Sequence, residues 1–370
     1  MYSAAGDGDR RGTGPGEAAI GTSIEGFGMA SRKSLISMAA DSFPLAKEEI
    51  TRHVDDLVAM RRVGEESAIV EAETSTAKDL ARLVNRVPLV FPRHVTDVVA
   101  EFDHANAGLD TVVEPVDAAV RALGGSAEIS LQIWLSGKVP YKFSRHDAWE
   151  NAAQVLTDRG YQVNRTGSAI AVSICFTPKA AVVGVNRVKD SLSSWPGGEI
   201  RLSKTPEQVS RAEFKLEELF KAFPFPFDDL GTALDLGAAP GGWTRILAGH
   251  GLRTTAVDPA DLDPRVLRLP GVAHERTTAG NFRRAGRGRF DLIVNDMKMS
   301  PDRSSRLMID AMKLLSPFGF AITTLKTGNH HVLSQIDESF TILSEEYDIV
   351  FARQLRHNRN EVTVVLRRLD

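Results

Sequence analysis

From Thr232 onward the chain alternates short apolar runs with longer amphipathic stretches. The runs are TALDLG (232–237), RTTAVD (253–258), FDLIVND (290–296), FGFAITTLK (318–326), YDIVFARQ (347–354) and EVTVVLRR (361–368). A run that is apolar at nearly every position has no face to offer to water. The pattern therefore predicts strands of a parallel sheet covered by helices on both sides. The last two runs depart from it. Only LRHNRN (355–360) joins them, and a parallel crossover needs roughly a dozen residues or more, so they are expected to pair antiparallel. Ahead of the first run, SRAEFKLEELFKAF (210–223) reads as an amphipathic helix with Ala212, Leu216, Leu219 and Phe223 on one stripe.

The first half has a different rhythm. SLISMAA (34–40) and ESAIVEAE (66–73) read as strands, and PLAKEEITRHVDDL (44–57) and AKDLARLVNRV (77–87) as helices. VEPVDAAVRAL (113–123) reads as a helix and EISLQIWLSG (128–137) as a strand. SRHDAWENAAQVLTDRG (144–160) is a helix capped by Ser144 and stopped at Gly160. SAIAVSICFTPKAAVVGVN (168–186) is a hairpin turning at Thr177-Pro178-Lys179. The stretch from 191 to 208 is turn-rich and reads as a linker; its Trp195 either stacks on a base or packs between domains. The start of the chain, residues 1–32, is rich in glycine and small polar residues and is expected to be a disordered tail.

Composition narrows the class without naming it. The net charge of −3 does not announce a polyanion partner, and neither side of a division at Lys204 is basic, so any nucleic-acid surface has to be a local patch. Cys175 is the only cysteine, which excludes an internal disulfide and suits a reducing compartment. No apolar run reaches membrane-spanning length, and a cytoplasmic location is expected.

Between the first two strands of the second half lies LDLGAAPGGW (234–243). Gly237, Ala238, Ala239, Gly241 and Gly242 let the backbone approach a ligand closely. The helix expected from Trp243 offers free N–H donors and a positive dipole end to an anionic group such as a carboxylate. Pro240 cannot donate, and the loop matches neither the dinucleotide pattern G-x-G-x-x-G nor the nucleoside-triphosphate pattern G-x-x-x-x-G-K-[ST]. Asp258 ends the second strand, where an acid commonly accepts ribose hydroxyls.

Ligands of such sheets bind beyond the carboxyl ends of the strands. Asp296 and Lys326 end two apolar runs there. Glu361 opens the antiparallel run, so its start lies at the same edge, and Lys215 borders the apolar stripe of the preceding helix. Singly, each reads equally well as a solvated strand end or a surface lysine. Together they gather two lysines and two acids beside the glycine loop.

LDLGAAPGGW, with SRAEFKLEE (210–218), VNDM (294–297), Leu325-Lys326 and RQLRHNRNEVTV (353–364), resembles the FtsJ/RrmJ ribose 2′-O-methyltransferase family. Within it the likeness is to RlmM-type enzymes of large-subunit ribosomal RNA. The resemblance implies an α/β fold, a class I Rossmann-like methyltransferase domain over 209–370, and S-adenosyl-L-methionine as cofactor. It implies a catalytic tetrad of Lys215, Asp296, Lys326 and Glu361. It places the cofactor on Asp235, Gly237, Ala238, Ala239, Pro240, Gly241, Gly242, Trp243, Asp258, Asn281 and Asp296. Asn281 stands where the family has an acid that contacts adenine. Residues 109–190, through YKFSRHDAWENAAQVL and SICFTPKAAVVGVNRV, look like a THUMP RNA-binding domain, preceded over 33–108 by a ferredoxin-like α+β unit.

On that reading Lys326 takes the proton of a ribose 2′-OH, with Lys215 as a second cation disfavouring charge on it. Asp296 and Glu361 orient the two lysines. No metal is expected, since His330 and His331 lack the spacing of a helical zinc pair. RNA, ribosomal rather than transfer, is the expected partner, and Arg283, Arg284, Arg287 and Arg289 in NFRRAGRGRF (281–290), placed near the same sheet edge, are its expected phosphate contacts. Base methylation is a weak rival, because Asn295-Asp296-Met297-Lys298 stands where base-methylating enzymes carry Asn/Asp-Pro-Pro-Tyr. A small-molecule methyltransferase and a non-catalytic RNA-binding protein stay open as alternatives.

Overall fold

The computed structural model of the chain describes residues 31–103, 108–286 and 288–369. The tail expected over 1–32 lies, but for its last two residues, outside the described residues, as does Arg287. The first half begins with β1 (Arg32–Ser37), α1 (Phe43–His53), β2 (Leu57–Arg62), β3 (Ser67–Ala72), α2 (Ala77–Arg86) and β4 (His94–Asp103). It continues with α3 (Leu109–Val113), α4 (Val116–Ala122), β5 (Glu128–Leu135), α5 (Arg145–Asp158), β6 (Gln162–Asn164), β7 (Ile170–Phe176) and β8 (Ala180–Arg187). Ser144 caps α5 as its sequence predicts, accepting from the Asp147 amide at 3.2 Å while the Asp147 carboxylate accepts from the Ser144 amide at 2.9 Å. The helix expected over 113–123 is present as α4, which starts at Val116 with Pro115 at its N-cap, and the short α3 precedes it.

These eight strands form one sheet in the order β2-β3-β1-β4-β8-β7-β5-β6. Strand β4 carries the join: His94–Asp97 pair with β1, and Val98–Asp103 with β8. The segments 33–108 and 109–190 thus share a sheet. Strands β2 and β4 were not expected from the sequence. In β2 only Met60 is buried, so no alternating pattern marks it, and the helix expected through Leu57 ends at His53.

The second half runs α6 (Glu213–Ala222), β9 (Thr232–Leu236), α7 (Gly242–Gly249), β10 (Arg253–Val257), α8 (Pro264–Leu267), β11 (Val272–Glu275) and α9 (Ala279–Ala285). Then come β12 (Phe290–Asn295), α10 (Pro301–Ala311), β13 (Leu315–Lys326), α11 (Val332–Leu343), β14 (Tyr347–Arg353) and β15 (Glu361–Arg368). The sheet order is β11-β10-β9-β12-β13-β15-β14, parallel from β11 to β13, with β15 antiparallel to both of its neighbours. The expected parallel sheet and terminal hairpin are both present.

Alternation assigns the two faces. Ala233, Leu292, Val294, Ile322 and Val365 pack with Leu216 and Leu219 of α6 and Leu247 of α7. Full burial of each such leucine contributes roughly 1.5–3 kcal/mol. The other face, with Leu234, Ile293, Ala321 and Val364, packs on Met308 of α10 and Ile336 of α11, and that core runs on without a break into Ile36, Ile50, Val70 and Phe91 of the first half. The first part of the 191–208 stretch is packed as well, while 203–207 are exposed: the Val95 amide donates to Ser191 O at 3.1 Å and Ser37 Oγ to Gly197 O at 2.6 Å.

Candidate active site

Asp296 follows the last residue of β12, Lys326 ends β13, and Glu361 opens β15 directly opposite Lys326 in the antiparallel register. Lys215 reaches the same point from the first turns of α6, the helix whose other side carries Leu216 and Leu219 into the core. The four side chains meet. Lys215 Nζ lies 3.1 Å from each Asp296 carboxylate oxygen and 3.0 and 2.7 Å from those of Glu361. Lys326 Nζ lies 2.7 Å from Asp296 Oδ1 and 3.5 Å from Glu361 Oε2.

Thr324, which the sequence reading passed over, belongs to this cluster. Its hydroxyl donates to Asp296 Oδ1 at 2.6 Å and stands 2.6 Å from Lys326 Nζ. The signal was available: two residues apart on one strand share a face. Lys326 is the most exposed of the four, its side chain 20% accessible against 13% for Lys215.

The electrostatics follow from that packing. Burial pulls the Lys215 ammonium down, but Asp296 and Glu361 more than offset it and hold the group above its ordinary value. Burial likewise pushes Asp296 up, and Lys326 and Lys215 outweigh it, leaving the carboxyl below the usual range. Lys215 Nζ bridges Asp296 and Glu361 and is matched by both acids.

The glycine loop stands beside the cluster. Gly237 (φ +75°) and Gly241 (φ +106°) occupy the left-handed region, and the Ala239–Pro240 bond is cis. A Cβ at Gly237 would lie 2.1 Å from Met297 Cγ, so the residue after Asp296 closes directly over the loop. Asp258 braces the loop, accepting from the Ala239 amide at 3.1 Å and the Ala260 amide at 2.8 Å. Asp235 is buried beneath it, bonded by Thr244 Oγ1 at 2.7 Å, and burial pushes its carboxyl up to about 7. The expected cofactor contact at Trp243 is corrected in part: its indole is buried in the α6 core and donates to Ala212 O at 2.8 Å, leaving only its backbone to the loop. Asn281 is exposed at the start of α9, its side-chain oxygen accepting from Arg284.

Glu361 is held in place by the connection before it. Arg93, buried in the first half, donates to Gln354 O at 2.8 Å and Leu355 O at 3.1 Å, and the Gln354 amide donates to Val90 O at 2.7 Å. From α6 the buried Glu218 accepts from the Arg356 and His357 amides at 2.7 and 2.8 Å. The connection borders a cleft of about 810 Å³ that reaches Lys215 and Glu361 and is lined by Lys204, Arg211, Arg356 and Arg359. The sequence did not show these four as one surface, because Lys204 and Arg211 lie far along the chain from Arg356 and Arg359.

Of the expected RNA-contacting arginines, Arg283 and Arg289 are placed elsewhere, and Arg287 lies outside the described residues. Arg289 immediately precedes β12 and donates to Lys313 O, ahead of β13, which puts it at the amino edge of the sheet, opposite the tetrad. Arg283 pairs with Asp310, an acid that sequence proximity could not show. His331 stands at the N-cap of α11, and among the described residues no group of histidines, cysteines and acids is arranged to hold a metal. No helix of the described residues is long and apolar enough to cross a membrane.

Residues 208–365 match the model of the FtsJ-like methyltransferase family. A curated relative, the ribosomal RNA large subunit methyltransferase M of Halorhodospira halophila, is 35% identical over 181 residues, 47% of this chain and 52% of the relative. The protein of the same name from Sodalis glossinidius is 26% identical over 331 residues, covering 85% of this chain and 89% of the relative. The chain thus aligns with about half the length of the first of these and most of the second. Among solved structures, TrmN from Thermus thermophilus aligns with 91% of the chain and all of its own at 15% identity, with a TM-score of 0.36.

Proposed function

We propose, from the FtsJ-like methyltransferase domain that residues 208–365 form, that this chain methylates a ribose 2′-oxygen of RNA using S-adenosyl-L-methionine, with large-subunit ribosomal RNA as its substrate. The observation that carries the reading is the convergence of Lys215, Asp296, Lys326 and Glu361 within hydrogen-bond reach at the edge where the glycine loop opens. The loop fits the cofactor, because its left-handed glycines and the Met297 contact at Gly237 bring bare backbone close to the site. When bound, S-adenosylmethionine supplies an electrophilic methyl group. The residues to hold it are Asp235, the backbone of Gly237 to Trp243, Asp258 and Asn281.

A ribose hydroxyl is a weak nucleophile and needs a group to take its proton or stabilise its developing charge. Lys326, the more exposed lysine, is the group placed to do so. Asp296 and Thr324 fix its Nζ. Lys215 holds Asp296 and Glu361 together, so the site keeps one geometry through the transfer, which then depends mainly on positioning. Asn295, where base-methylating enzymes hold an amino group, has its side chain engaged with Ser304 and Thr323, which disfavours that chemistry here.

The basic cleft of Lys204, Arg211, Arg356 and Arg359 is the proposed entry of the RNA strand, in place of the arginines of α9. The first half is proposed as its holder, with a ferredoxin-like unit over 33–108 and a THUMP-like unit over 109–190; the β-α-β-β-α-β order of residues 32–103 supports that division. Mapping 2′-O-methyl groups in cellular ribosomal RNA with and without the gene tests the reading. One site should vanish without it, and should return with the wild-type gene but not with Lys326→Ala. Full restoration by Lys326→Ala would refute the tetrad.

A further inference from the structure

A second cavity, separate from the tetrad, lies between the end of α6, the 188–195 stretch and β14. Its volume is about 480 Å³, and its walls include Lys189, Lys221 and Arg353 together with Trp195, Phe223 and Phe351, with no acidic residue among them. Arg353 is the unusual member. It is 6% exposed, yet among the described residues no carboxylate pairs with it: Nη1 donates to Leu192 O at 3.2 Å, and the buried Nε has no partner. A guanidinium removed from water ordinarily has an acid beside it, because desolvating an unmatched charge is costly. The charge that bears on Arg353 here is Arg93, of like sign.

Lys189 and Lys221 are exposed, and the Lys221 ammonium stands 5.8 Å from the centre of the Trp195 ring. A buried cation without a counter-ion, two exposed cations and an indole face are the chemistry that recognises a phosphate carried on a nucleoside. On the sheet, Arg353 pairs with Thr363, two residues along β15 from Glu361 and on the same face. The cavity and the tetrad therefore occupy neighbouring positions beneath α6.

We propose that this cavity binds a backbone phosphate of the RNA substrate, with the attached base resting on Trp195, as an anchor outside the methyl-transfer site. The identity of the strand rests on the function proposed above; the phosphate chemistry does not. The test uses the full chain. Adenosine 5′-monophosphate should quench tryptophan fluorescence in the wild type and not in Trp195→Phe. A short single-stranded RNA should bind the Lys189→Ala/Lys221→Ala variant more weakly, with the slope of log affinity against log salt reduced by about one. Arg353→Met should abolish the quench and Arg353→Lys should restore much of it, while cofactor binding by calorimetry stays unchanged and shows that each variant is folded.

Absence of both the quench and the change in slope overturns the proposal. A quench by the nucleotide with an unaltered RNA slope overturns it too, and assigns the cavity to a free nucleotide. If quench and slope behave as expected but the wild type leaves ribosomal RNA unmethylated, the anchor stands and the substrate reading falls.

Discussion

Asp296 touches both lysines and the Thr324 hydroxyl, so one substitution there separates charge from shape. Asp296→Asn keeps the volume and removes the charge that holds Lys326. Methyl incorporation should fall by about a hundredfold or more, whereas Thr324→Val, which removes one bond of several, should cost much less. Methylation of a ribosomal RNA fragment, followed by isotope incorporation, checks both. Asp235 gives a pH signature. Its folded carboxyl titrates at about 7, far above the unfolded value near ~3.9. Folding therefore takes up a proton between those limits. The contribution is complete below the unfolded value and is lost as pH rises through the folded one. Asp235→Asn should flatten that decline, and melting temperatures of the two proteins between about pH 4 and pH 8 should converge at the acidic end and separate at the alkaline end. Equal separation at every pH would disprove the assignment.

Two loops set the site at the scale of elements. The glycine loop needs φ values near +75° and +106° at Gly237 and Gly241, and Gly237 also lies under Met297. Gly237→Ala is expected to abolish cofactor binding measured by calorimetry. Adding Met297→Ala removes the collision but not the backbone strain of roughly 1–2 kcal/mol, so it should recover binding only in part. The connection from β14 to β15 is held from both sides, by Arg93 of the first half and by Glu218 of α6. Glu218→Ala leaves two part-buried amides without their acceptor, at up to about 1–3 kcal/mol for each that water cannot reach. It should lower the melting temperature and reduce kcat by releasing Glu361, with little effect on cofactor affinity. Unchanged kcat would show that the connection does not position Glu361. The sequence showed the glycine loop clearly, since its residue types are demanded by backbone geometry. It did not show the second loop as a structural device, because Arg93 and Glu218 lie 261 and 138 residues from their partners.

For the molecule as a whole, a net charge of −3 means that the proposed RNA substrate has to be held by local charge. Lys204 and Arg211 lie far along the chain from Arg356 and Arg359, and only the fold makes the four one surface. Replacing Lys204 and Arg359 together by alanine should weaken RNA binding across sequences and lower the salt slope by about two, while Arg283→Ala and Arg289→Ala, at the far edge, should leave it unchanged. Titration of RNA binding against salt decides between the two sets. The two halves also share one apolar core, with Phe91 and Ile50 in the same cluster as Leu325 and Ile336. Denaturation of the full chain should therefore proceed as one transition for both halves, measurable as coincident loss of near-ultraviolet and far-ultraviolet dichroism.

Periodicity determined the methyltransferase half: strands apolar on both faces, a connection too short for a crossover, and a loop whose small residues leave the backbone bare. These are local demands, and a sequence carries local demands openly. The convergence of Lys215, Asp296, Lys326 and Glu361 was legible because strand ends in a parallel sheet share an edge, so topology alone brings them near. Hydrogen-bond partners were not legible, nor the two carboxylates that hold Lys215, the edge occupied by Arg289, or the strand β4 shared by two units. Each of these depends on atoms distant in the chain being brought within a few ångströms, and burial and Coulomb interactions have no one-dimensional counterpart.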